Sequence, residues 1–312
     1  MSLPRSVLIS ANPRSGATSG LERAGELKQA LDAAGFAAEL FTDIDAFTRR
    51  SRELHAAGEL RAVVSAGGDG TASLVLSKIP AGVPVALFPL GSENLLAKYF
   101  QSDRDIAKTA AALREMRTVP LDLFTANGQL TLLVTSVGYD AEVVRIVHQS
   151  RKSHVTRWAY WRAIFQAIGG YTWPTLEVEL RSADGTWSRA GECNWLFAFN
   201  VPRYAAGIQI VDSADIDDGL LEIGMFQGGK LVRGMWHYGM VAGGMHTRSR
   251  DWRRERASGV RVRCLASCDA PRSDASAPPV SYQIDGDWGG GLPLEIVVAD
   301  HQARIVVGSS PS

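Results

Sequence analysis

The chain is poor in cysteine, has no long apolar run and carries no net charge. Three cysteines in 312 residues, with no secretory leader ahead of them, do not make a disulfide framework, and reduced thiols are expected. Cys264 and Cys268 lie close in sequence, but no His or further Cys stands between them, so a metal-thiolate site is not expected. No stretch approaches the roughly 18 uninterrupted apolar residues that a membrane span needs. The first twelve residues hold one basic residue and a short apolar run at Ser6 to Ala11, too little for a signal peptide. A cytoplasmic protein that visits membranes only transiently is expected. Lys plus Arg and Asp plus Glu both number 33, so no field over the whole molecule draws it to nucleic acid, and any attraction comes from local patches. The six histidines show no ligand spacing.

What is present is an ordinary globular composition, 46% apolar and 21% charged, in a chain long enough for two domains. The first hundred residues repeat one grammar: an apolar or β-branched run, a turn of Gly, Asn or Ser, then helical periodicity. Ser6 to Ser10 leads into Asn12-Pro13-Arg14-Ser15-Gly16 and a helix from about Leu21 to Ala34, with Leu21, Leu27 and Leu31 on one face and Gly35 as its stop. Ala62 to Ala66 leads into Gly67-Gly68-Asp69-Gly70-Thr71 and a helix through Leu74 and Leu76. Pro84 to Phe88 leads into Pro89-Leu90-Gly91-Ser92-Glu93-Asn94 and a helix through Tyr99. Such βαβ units predict a parallel sheet whose carboxyl edge gathers all three turns.

From about Leu121 the grammar becomes strand runs between turns: Leu130 to Val137, Leu176 to Leu180, Trp195 to Phe199, Leu220 to Met225, Val260 to Leu265, Val280 to Ile284 and Leu294 to Val298. This spacing predicts a β-sandwich or barrel. A helix is expected over about Val155 to Ile168, and the stretch Ser267 to Pro279 reads as an exposed loop. Between Arg145 and Arg162 the cations Arg145, Arg151, Lys152, Arg157 and Arg162 alternate with Trp158, Tyr160 and Trp161 without an acid. That composition suits either a bilayer interface or a packed helix with a solvated basic face.

The Gly67-Gly68 turn exposes successive amides at the start of a helix, an arrangement suited to phosphate. It lacks the lysine of a P-loop, and Ser73 breaks a dinucleotide fingerprint. A tight turn with no ligand is equally compatible with these local features. Asp69 within the cradle would repel phosphate unless a divalent cation or a proton-bearing group joined it. Arg14 offers a cation to polyphosphate.

Taken in order, Asn-Pro-x-Ser-Gly, Gly-Gly-Asp-Gly-Thr, Pro-Leu-Gly-Ser-x-Asn, Pro120-Leu121-Asp122-Leu123, Asp215-Ile216-Asp217-Asp218-Gly219 and Asp285-Gly286-Asp287 resemble the diacylglycerol kinase catalytic family. That family includes bacterial lipid kinases and sphingosine kinases and is distantly related to NAD kinases. The likeness implies a Rossmann-like α/β nucleotide domain over residues 1–120, with the tail 299–312 returning to it, and a β-sandwich lipid-substrate domain over 121–298, enclosing a cleft. It implies an ATP- and Mg2+-dependent lipid kinase acting on diacylglycerol or a related lipid at a membrane surface, peripheral to it, with no nucleic-acid partner and with a homodimer conceivable. Asn12, Gly67, Gly68, Asp69, Gly70, Thr71, Ser92 and Asn94 would line the nucleotide site. Asp285 matches the general base, Asp287 its acidic neighbour, and Asp69 is the second choice as base. Asp122 matches an acid of the magnesium network, and Asp215, Asp217 and Asp218 match a structural magnesium site. Two departures bear on the metal: Leu95 stands where a second acid is frequent, and Asp287 is one methylene shorter than the usual Glu. The alternatives are a non-catalytic phosphate- or lipid-binding homologue and an NAD kinase-like enzyme for a soluble substrate.

Overall fold

The computed structural model describes residues 4–13, 19–91, 93–149, 173–202, 214–228, 231–265 and 280–308, with the single residues 167, 171 and 211. Two compact units are formed, one by Met1–Leu123 with Ala299–Ser312 and the other by Phe124–Val298.

The first unit begins β1 (Ser6–Ala11), α1 (Ser19–Ala33), β2 (Ala37–Phe41), α2 (Ile44–Ala56), β3 (Leu60–Gly67), α3 (Asp69–Leu76), β4 (Pro84–Pro89), α4 (Leu95–Tyr99), α5 (Ile106–Glu115) and β5 (Thr118–Leu121). The second follows with β6 (Phe124–Ala126), β7 (Gln129–Thr131), β8 (Val134–Val137), α6 (Tyr139–Gln149), β9 (Leu176–Arg181), β10 (Trp187–Cys193), β11 (Trp195–Phe199) and β12 (Leu221–Phe226). It continues with α7 (Leu231–Ala242), β13 (Trp252–Ala257), β14 (Gly259–Cys264), β15 (Ser281–Ile284), β16 (Asp287–Gly291) and β17 (Leu294–Val298). The chain then returns to the first unit as β18 (Ala303–Val306).

The first sheet has the order β2-β1-β3-β4-β18-β5, parallel except where β18 meets β5. Its central strands are buried on both faces, which is why β1 and β3 read as nearly unbroken apolar runs. The core gathers Val7, Ile9, Val64 and Phe88 from the strands with Ala24, Leu27 and Leu31 from α1. Leu21 is exposed, so the buried stripe of α1 runs through Ala24 at the 3–4 residue spacing rather than through Leu21. In α3 it is Val75 and Leu76 that are buried, while Leu74 faces out. A fourth βα unit, β2 and α2, escapes the sequence grammar because β2 is a short edge strand with mixed burial. Asp43 starts α2 by accepting from the Ala46 amide at 2.7 Å.

The second unit is a sandwich of two antiparallel sheets, β10-β9-β14-β17-β6-β7 and β13-β12-β11-β8-β15-β16. Val178, Val262 and Ile296 from one sheet meet Leu196, Ile223 and Ile284 from the other in a single core. Four sandwich strands fall outside the runs read from the sequence: β10, β13 and β16 are edges whose polar or glycine-rich residues suit an edge, while β6, only three residues long, lies between β17 and β7. The expected single strand Leu130 to Val137 is broken at Leu132 and Leu133, for a reason given below. The expected helix at 155–168 and the loop at 267–279 lie outside the described residues, apart from Ala167. Arg145 is no surface cation: it is 7% exposed on α6 and forks onto Glu142 at 2.9 Å for both nitrogens. Arg151, Lys152, Arg157 and Arg162 fall outside the described residues. Cys264 is disulfide-bonded, a correction to the expectation of reduced thiols. Cys193 is free and buried, and burial pushes its thiol up to about 12. No described helix is long and apolar enough to cross a membrane.

Candidate functional site

Strand register decides which turns meet. Ala11 pairs with Ala66 and Gly67 with Pro89, so the residues following β1, β3 and β4 leave the sheet side by side at its carboxyl edge. The chain turns from β1 outward to β2 and then back across to β3. The point between β1 and β3, flanked by Asn12 and Gly67, is therefore a topological switch point, where ligands collect in open α/β sheets.

The turn after β3 is closed tightly. A Cβ on Gly67 would overlap the Thr71 side chain, and one on Gly91 would sit 2.7 Å from the Gly68 Cα. Backbone thus packs on backbone where the β3 and β4 turns touch, and Gly91 is the residue that permits it. A Cβ on Gly68 would meet Gly91 Cα at an ordinary 3.5 Å, and one on Gly70 would meet nothing. The Leu90 amide donates to the Gly67 carbonyl at 2.9 Å, tying the two turns directly.

Asp69 opens α3, and both its oxygens reach across to α4. Leu95 N donates to Oδ2 at 2.8 Å and Leu96 N to Oδ1 at 3.0 Å. A carboxylate satisfying the first two amides of a helix is a cap supplied from another element. Burial raises its pKa, opposed by those same amides. Asp69 therefore braces the two turns against each other. Asn94, in the left-handed region at φ 52, accepts from Gly91 N at 3.0 Å and donates to Gly91 O at 2.6 Å, closing its own loop. Arg104, which carries no sequence signal, donates to Pro89 O at 2.8 Å and Gly91 O at 3.3 Å from outside the turn. Asn12 is exposed just beyond β1, Gly68 and Gly70 flank Asp69, and Thr71 is buried under the turn. Ser92, with Arg14, lies outside the described residues.

Asp285 and Gly286 form the two-residue hairpin between β15 and β16, with φ of 50 and 90. Asp-Gly is a favoured sequence for such turns, since both positions need positive φ and Asp tolerates it better than most side chains. The carboxylate turns inward onto the break between β7 and β8. Leu132 N donates to Oδ2 at 2.8 Å, while Leu133 N and Val134 N donate to Oδ1 at 2.8 and 3.0 Å and Thr131 Oγ1 at 3.2 Å. The interrupted strand frees these amides to face one anion. Asn200, at the end of β11, fixes the same segment from its carbonyl side, donating to Leu132 O and Leu133 O at 2.9 Å each. Burial pushes the Asp285 carboxyl up to about 6, with the amides of Leu132, Leu133 and Val134 pulling it back. Such a group changes protonation not far below neutrality.

The acids expected to hold metal differ in their surroundings. Asp122 is 2% exposed and accepts from Gln302 Nε2 at 2.7 Å. Asp215, Asp217 and Asp218 are exposed. Asp218 pairs with Arg256 and accepts from the Leu220 amide at 2.9 Å, which makes Asp218-Gly219 a turn into β12. Asp287 is exposed at the start of β16. Among the described residues no group of three His, Cys, Asp or Glu side chains could enclose a cation.

Two family profiles match in tandem, the diacylglycerol kinase catalytic domain over residues 6–126 and the YegS C-terminal NAD kinase beta sandwich-like domain over residues 133–307. The second alone spans more than half of the chain. The chain belongs to the diacylglycerol kinase catalytic-domain family. A diacylglycerol kinase of Mycobacterium tuberculosis is 26% identical over 243 residues, 75% of this chain and 73% of that protein. A Pseudomonas aeruginosa protein named "Probable lipid kinase YegS-like" is 28% identical over 188 residues, 57% of this chain and 59% of its own. A crystal structure of a diacylglycerol kinase from Bacillus anthracis superposes with a TM-score of 0.65 at 18% identity, covering 99% of both chains, and shares the fold. Family and relatives together support a lipid kinase-type enzyme, and in this diacylglycerol kinase family member Asp69 and Asp285 are both held by backbone amides.

Proposed function

We propose that the protein transfers the γ-phosphoryl group of ATP to a hydroxyl of diacylglycerol or a related lipid. The observation that carries this reading is that β1, β3 and β4 end side by side at the switch point, with Gly68 and Gly91 packed backbone to backbone. Amide-lined turns of this kind suit polyphosphate, and Asn12, Gly67, Gly68, Gly70 and Thr71 are the residues that would hold it. Among the described residues the acids do not by themselves form a magnesium cage. A magnesium ion is commonly held by one or two carboxylates together with substrate phosphates, and it supplies charge neutralisation when bound.

The rest is done by the chain's own groups. The lipid hydroxyl oxygen forms a bond to the γ-phosphorus, the bond from that phosphorus to the β-bridging oxygen breaks, and ADP leaves. Asp285 accepts the hydroxyl proton. Its pKa of about 6 leaves it mostly ionised at neutral pH, and the four donors on it keep the carboxylate in one orientation. Incubation with γ-labelled ATP, magnesium and short-chain diacylglycerol should place label in the lipid. Label transferred to NAD, or to no acceptor across a panel of lipid extracts, overturns the reading.

A further inference from the structure

From Gly228 to Arg250 the sequence contains no acid, four cations and a run of Trp, Tyr and Met. Where this segment is described, its exposed residues lie on α7 and in the turn that follows it. On α7 the exposed positions are Arg233, Trp236 and Gly239, with Met240 half-buried and Gly243 just beyond the helix, a spacing of three to four residues along one stripe. The opposite side packs inward: His237 is 1% exposed, lies tilted against the Phe226 ring with centroids 4.9 Å apart and bonds the Gln227 carbonyl at 3.0 Å. The helix is thus anchored by its inner face, while Trp236 stands 61% exposed.

The turn that follows is folded back onto the helix end. Met245 N donates to Met240 O at 2.8 Å, and Arg248 N donates to Met245 O at 3.1 Å. Met245 is itself 46% exposed. Arg248 and Arg250 are exposed and make no ion pair among the described residues, whereas Arg233 is held by Asp251 at 2.8 Å. An exposed tryptophan and methionine, followed in the same segment by two arginines with no ion pair among the described residues, match a surface that is apolar within and anionic at its face.

We infer that the outer stripe of α7 and the turn after it form a docking surface for an anionic lipid bilayer. Trp236 and Met245 enter the headgroup region, and Arg248 and Arg250 pair with lipid phosphates. The inference rests on the lipid-kinase reading for its purpose, but not for its test. It moves the expected membrane contact away from Arg145, which is buried and paired.

Cosedimentation of the full chain with vesicles rich in phosphatidylglycerol, against vesicles of phosphatidylcholine alone, tests it. Wild type should bind the anionic vesicles more tightly, and binding should weaken with salt. The double variant Arg248→Gln/Arg250→Gln should lose roughly thirtyfold in affinity at low salt, from about fivefold per cation at an anionic surface. Trp236→Ala should lose about tenfold on both vesicle types, from the apolar area it no longer buries. Neither change touches a packed side chain, so thermal stability and turnover on a short-chain, monomeric substrate should be unchanged. Equal vesicle binding by wild type and both variants overturns the inference. So does a wild-type dimer that Trp236→Ala converts to monomer without any vesicle binding, since the face would then join two copies. Failure of the kinase reading is separate: vesicle binding lost in the variants, with no lipid phosphorylated by any of the proteins, leaves the surface and removes the activity.

Discussion

Neutralising Asp285 should change stability in a way that depends on pH. Its carboxyl lies near 6 in the fold against 3.8 for an ordinary aspartate. Below the lower value it is protonated in both states, and the fold suffers no penalty. As pH rises from about 4 to about 6 the unfolded chain releases its proton while the folded chain retains it, and stability falls. Above 6 the loss is complete. A shift of about 2 pKa units at 1.36 kcal/mol each gives about 3 kcal/mol, as an order of magnitude. In Asp285→Asn this contribution is absent at every pH. The variant carries instead a fixed cost, because its amide nitrogen faces the Leu132 N–H that now donates to Oδ2 at 2.8 Å. An unsatisfied buried amide costs about 1–3 kcal/mol. Urea unfolding of both proteins at pH 4 and pH 7 isolates the group, since every other titration cancels in the difference. The wild-type advantage over Asn should shrink by about 3 kcal/mol between the two pH values. A difference that stays constant would refute both the raised pKa and the account of burial behind it. Activity supplies the second readout: wild-type kcat/KM should fall on the acid side with an apparent pKa of about 6, and the Asn variant should be slower by about two to four powers of ten with no acid limb.

The remaining expectations concern the turns and the buried ion pair. Gly91→Ala forces apart two backbone segments, so it should cost about 1–3 kcal/mol in thermal unfolding and weaken ATP binding measured by calorimetry, while Gly68→Ala should be tolerated because its Cβ finds ordinary contact. Asp69→Asn leaves one of the Leu95 and Leu96 amides facing an NH2 group, and a loss of about 1–3 kcal/mol is expected, with hydrogen exchange quickened at α4 before the rest of the first unit. Arg145→Gln strands the buried Glu142 carboxylate, which should lower stability by about 3–5 kcal/mol yet leave salt-dependent vesicle binding unchanged.

Several features follow from local chemistry and are readable in the residue order. Parallel strands buried on both faces must be apolar throughout, so β1, β3 and β4 announce themselves, and the turns after them follow from glycine and asparagine. The longer apolar strands of the sandwich interior are equally plain, whereas the three-residue β6 is too short to show a period. The edge strands β10, β13 and β16 are not, because an edge is satisfied by water and needs no apolar signature. Asp69, Asp285 and Asn94 stand out in the sequence as chemically loaded residues, but their partners do not. Asp285 is held by amides more than 150 positions earlier, and Asp69 by amides 26 and 27 positions later. Those amides belong to Leu and Val, whose side chains say nothing of what their backbone will bind. In the same way Arg145 reads as a surface cation until packing buries it on Glu142. Residue type and spacing set which local structures form. Which hydrogen bonds, burials and charges those structures share is a matter of contacts between distant segments, and only the tertiary structure decides them.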